Sequence, residues 1–65
     1  MLINPEKIRL IAAEQGMNTG QLAEKAGISR QALSTAFTRK TCRPETIVKL
    51  SNALSVAASE LSGGN

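Results

Sequence analysis

The sequence predicts an all-α fold, a compact bundle of five short helices with no strands. Three observations carry this expectation. Apolar residues recur at three- and four-residue spacings, and no stretch alternates apolar and polar residues for long. Residues that start and stop helices punctuate the chain at short intervals: Asn4-Pro5, Gly16, Asn18, Gly27, Ser29 and Pro44. Aromatic residues are nearly absent, with one Phe and no Trp or Tyr, so the core must be built from Leu, Ile, Val and Ala. The 65 residues are expected to make one domain, 1–65, without internal repeat or interdomain linker. Such a small core has little to spare, which makes added support from self-association reasonable.

Helix one is expected from about Pro5 to Gln15. Asn4 can cap it, Pro5 suits the first helical position, and Glu6 suits the positive end of the dipole. Ile8, Ile11, Ala12 and Gln15 share one face, and Gly16 can end the helix in a left-handed conformation. Helix two is expected from about Thr19 to Ala26, with Asn18 as cap and Gln21 completing a capping box. Leu22, Ala23 and Ala26 form its inner face; Gly20 is a poor helix former, but the first turn limits the cost. Gly27 ends it. Helix three should begin after Ser29 and run to about Phe37, with Leu33, Ala36 and Phe37 as its apolar stripe. Arg30, Gln31, Ser34, Thr35 and Thr38 then lie on the other side. A loop from Thr38 to Arg43 follows. Pro44 starts helix four, which turns Ile47, Leu50 and Leu54 inward. A weak fifth helix, near Ala57 to Ser62, brings Leu61 to the core, and residues 62–65 should fray.

Composition excludes several functions. Cys42 is the only cysteine and there is no histidine, so neither an intrachain disulfide nor a metal site is expected. No secretory leader or membrane-spanning run is visible, which points to the cytoplasm. The five glutamates are scattered along helices without pairing, and no glycine loop could cradle a phosphate. No catalytic residue and no cofactor are therefore expected, and the chain does not read as an enzyme. The formal net charge is +3, but the distribution says more. Between Glu24 and Glu45 there is no acidic residue, while Lys25, Arg30, Arg39, Lys40 and Arg43 fall inside that window. An uncompensated basic side on a small domain suits a polyanion.

Helices two and three are joined only by residues 27–29, so they must cross steeply. Their contact needs a small side chain, which Ala23 provides. The turn needs positive φ, which Gly27 accepts. Ile28 can plug the gap between the helices, and Leu33 can pack back from the second helix onto the first. This combination over about residues 18–37 is a helix-turn-helix. "GMNTGQLAEKAGISRQAL" resembles that motif in the phage repressor and Cro-like regulators, the XRE family, and "RPETIVKLSNALSV" resembles their fourth helix and following turn. The resemblance covers about Pro5 to Leu61. It implies a lambda-repressor-like domain that binds double-stranded operator DNA with its third helix in the major groove, as a homodimer at least on DNA. It also implies that Arg30, Gln31 and Thr35 read bases with Ser34 assisting, and that Asn18, Thr19, Ser29, Lys40 and Arg43 meet phosphates.

The side-chain chemistry agrees. Glutamine can pair with adenine through two hydrogen bonds, and arginine with guanine. At the first turn of a recognition helix both project toward the groove. Ala32, Ser34 and Thr35 are small, so base edges can come close. Some positions depart from the family's pattern. Thr19 stands where many relatives have glutamine, Arg39 where many end helix three with glycine, and Ser55 where glycine follows helix four. Ala12 and Phe37 replace a common Arg–Glu pair, so an apolar contact is expected instead of an ion pair. The leading functional reading is a small repressor of phage, plasmid or mobile-element type. The alternative is an antitoxin, or another protein-interaction module with a protein partner, on the same fold.

Overall fold

The structure, a computed structural model, describes residues 1–63. Its helices are α1 (Pro5–Glu14), α2 (Thr19–Ala26), α3 (Arg30–Arg39), α4 (Pro44–Leu54) and α5 (Ala58–Leu61). The first three start as their sequences dictate. Asn4 Oδ1 accepts a hydrogen bond from the Lys7 amide at 3.2 Å. Asn18 and Gln21 form the reciprocal capping box, with bonds of 2.8 and 2.9 Å. Ser29 Oγ accepts from the Ala32 amide at 3.0 Å. Each of these bonds satisfies an amide that the helix itself cannot.

The helix ends share one geometry. After each of α1 to α4, an amide two or three residues past the helix end reaches back to a carbonyl five positions earlier: Met17 to Ala12, Ile28 to Ala23, Thr41 to Ala36 and Val56 to Ser51. The residue before each of these amides is left-handed, with φ of 76° at Gly16 and Gly27, 58° at Lys40 and 57° at Ser55. Glycine takes this conformation without steric penalty; lysine and serine do not. Ser55→Gly is therefore expected to stabilise the domain by about 1 kcal/mol, read as a rise in the urea midpoint at unchanged slope.

Two expected boundaries shift. Helix three runs on through Thr38 and Arg39, and Lys40, not Arg39, takes the left-handed stop; Thr38 Oγ1 also donates to the Ser34 carbonyl. The loop before Pro44 is correspondingly short. Helix one closes at Glu14, with Gln15 as its cap. Gln15 Nε2 donates to the Leu54 carbonyl at 2.7 Å, so the end of α1 supplies a partner to the last turn of α4.

Ile8, Leu22, Leu33, Ile47, Leu50, Leu54 and Leu61 are fully buried, so every helix contributes to one aliphatic core. Each such side chain contributes about 1.5–3 kcal/mol of transfer free energy. The second helix packs against α3 and α4, and α5 against α4 and α1. Phe37 and Ala12 both belong to this core, at 5% and 2% exposure. The Arg9 guanidinium lies 4.8 Å from the Phe37 ring centroid.

An extended arm at the N-terminus has no counterpart in the sequence reading. Ile3 donates to the Lys40 carbonyl at 3.0 Å, Asn4 to Leu61 at 3.1 Å, and Cys42 to Met1 at 3.0 Å. Isolated bridges join Leu2 to Thr41 and Ile3 to Ser62. Ile3 is buried, and the arm ties the loop after α3 to the end of α5. Ser62, expected to fray, is held in this bridge; residues 64–65 of the expected frayed tail lie outside the described residues. Among the described residues no helix is long and apolar enough to cross a membrane.

Candidate nucleic-acid interface

The turn between α2 and α3 fixes how α3 is presented. Gly27 reverses the chain, and the Ile28 amide bonds Ala23 while its half-buried side chain packs on the core. Ala23 and Leu33 are both buried, so the two helices meet closely. This leaves Leu33, Ala36 and Phe37 inward, and Arg30, Gln31, Ala32, Ser34, Thr35, Thr38 and Arg39 exposed. The outward residues near the start of α3 are short apart from Arg30 and Gln31.

The expected site residues fall into separate groups. Gln31, Thr35 and Ser29 border an open hollow between α3 and the loop that follows it, which Arg43 also lines. Arg30 lies on the other flank, against Gly20 in the first turn of α2. Thr19 and Asn18 belong to that same turn. Ser34 is exposed on α3 but does not line the hollow. Lys40 borders a different depression, shared with Arg9, Phe37 and the N-terminal arm. Arg39 also lines the α3 hollow. The sequence does not single it out, because the expected helix three runs only to about Phe37. With the helix extended, Gln31, Thr35 and Arg39 form a single i, i+4, i+8 stripe.

Electrostatics distinguish α2 and α3 from the other helices. Glu6, Glu45 and Glu60 sit in the first turns of α1, α4 and α5, whereas α2 and α3 have no acidic residue there. Their positive dipole ends are left for an external anion. Asn18 Oδ1 and Ser29 Oγ are already engaged as caps. If these two side chains themselves meet a phosphate, the donors are the Asn18 side-chain NH2 and the Ser29 hydroxyl proton. Arg43 pairs with Glu45 at 3.8 Å, but both side chains are largely exposed (85% and 70%), so this contact holds it weakly. Cys42 is a free, half-buried thiol; burial raises its pKa, partly offset by the nearby terminal ammonium.

Comparison with known proteins agrees with this geometry. The family model for the Cro/C1-type HTH DNA-binding domain matches residues 7–63. Among solved structures, a hypothetical transcription factor, NHTF, from Neisseria superposes with a TM-score of 0.72 at 23% identity, over 92% of this chain and 78% of that one. A search of curated proteins gave no significant match.

Proposed function

The chain belongs to the Cro/C1-type helix-turn-helix DNA-binding family, and we propose from this that it is a sequence-specific transcriptional regulator, a small repressor of phage, plasmid or mobile-element type. The observation that carries the proposal is the exposed stripe of Gln31, Thr35 and Arg39 on α3, bordered by acid-free helix starts. In the proposed complex α3 enters the major groove. Gln31 pairs with a base, most simply adenine, while Ser34 and Thr35 make shorter contacts to base edges. Asn18, Thr19, Ser29 and Arg43 meet phosphates on the flanks, and Lys40 adds a cation at the far end of α3. Arg30 belongs to the same interface.

The longest extent of the domain is 25 Å, shorter than the roughly 34 Å between successive major-groove sites on one face of DNA. Two copies on DNA are therefore part of the proposal, meeting through α4, α5 and the loop before Pro44, where Val48 is exposed. Cytoplasmic location follows from the DNA-binding role. If roughly six phosphates are neutralised per dimer, the log–log dependence of affinity on salt has a slope near −5. Footprinting across salt concentrations measures this. A flat response with no protected site removes the proposal and favours the antitoxin or protein-interaction reading.

A further inference from the structure

Gly20 stands at the second position of α2, where glycine weakens a helix and where no left-handed turn requires one. A methyl group there would lie 2.6 Å from both Nε and Nη2 of Arg30, and 2.8 Å from Cζ. The guanidinium of Arg30 thus rests on the bare backbone of the first turn of α2. Among the described residues no carboxylate forms an ion pair with it. The ion pairs among the described residues join Lys7 to Glu60 and Arg43 to Glu45. The first turn of α2 has no acidic residue, and the positive end of a helix dipole repels a cation. What accommodates the group is the missing side chain.

We infer that Gly20 is a positioning residue for DNA binding: it seats the Arg30 guanidinium on α2 and so directs that arginine to a backbone phosphate rather than to a base. This rests on the proposed docking of α3 in the major groove. In that docking the helix before the recognition helix crosses the sugar–phosphate backbone. A cation laid along α2 then meets phosphate, and the anion offsets its repulsion from the helix end. Base reading falls to Gln31, Ser34 and Thr35. The guanidinium is placed before DNA arrives, so less side-chain freedom is lost on binding.

The test compares the wild type, Gly20→Ala, Arg30→Ala and the double variant. Each is titrated with a selected binding site and with an unrelated duplex at several salt concentrations, and its thermal midpoint is recorded. Alanine favours the helix, and the clashing atoms are the free end of a long side chain that can swing away. Gly20→Ala should therefore raise the midpoint by about 2–5 °C. It should nevertheless weaken binding to both duplexes by about three- to tenfold and flatten the salt slope by about one per protomer. Arg30→Ala should do the same to binding, and the double variant should lose no more than either single one. Wild-type affinity in Gly20→Ala, or losses that add in the double variant, would overturn the inference. So would an Arg30→Ala protein that changes its preferred base at one position. A wild-type protein that binds neither duplex defeats the functional proposal itself, a different outcome from any of these.

Discussion

Phe37→Ala is expected to cost the domain about 3–4 kcal/mol of folding free energy. A domain of 65 residues has a total stability on the order of 3–10 kcal/mol, so much of the population would unfold near physiological temperature. The reason lies in the composition. Phe37 is the only aromatic residue, it is 5% exposed, and its ring belongs to the buried core. Truncation would leave a cavity, and Arg9 would lose the ring beneath its guanidinium. Phe37→Leu keeps most of the volume and should cost about 1 kcal/mol. Urea unfolding followed by circular dichroism separates the two variants. An unchanged midpoint in Phe37→Ala would show that the ring is not the anchor described here.

Gln31→Ala should have the largest effect on recognition. Its side chain leaves the first turn of α3 and borders the hollow shared with Thr35 and Arg43. A glutamine paired with adenine through two hydrogen bonds discriminates by about 1–3 kcal/mol. Removing it should cost roughly 5- to 150-fold on the preferred site while leaving binding to unrelated DNA nearly unchanged. Arg43→Ala should behave in the opposite way, weakening every sequence alike and reducing the salt slope by about one per protomer. Glu45 holds Arg43 only loosely, so little internal structure is lost with it. Binding curves on two duplexes separate these outcomes, and reversed patterns would mean that the roles of Gln31 and Arg43 are exchanged.

The helices were legible because their signals are local. Asn4, Asn18 and Ser29 lie next to the amides they cap, and Gly27 lies at the turn it permits. The end of α3 was harder to place because lysine rarely takes a left-handed stop, so Lys40 gives no sequence signal for one. That shift of two residues hid Arg39 from the α3 stripe. The N-terminal arm was not legible either. Leu2 and Ile3 are too few to show a period, and their partners, Thr41 and Ser62, are remote in sequence. Gly20 read as a tolerated weakness in α2 for the same reason. Its counterpart, Arg30, lies across the turn, and only the folded chain brings the two together.

In the proposed complex, two copies of this domain present α3 to base edges in the major groove. Selection of bound duplexes from random DNA tests it most directly. The expected result is a two-fold symmetric site whose half-sites are centred about 10 base pairs apart, and in which Gln31→Ala abolishes the preference at one A·T pair of each half. Recovery of no enriched sequence, or of one that substitution of Gln31 leaves unchanged, would contradict it.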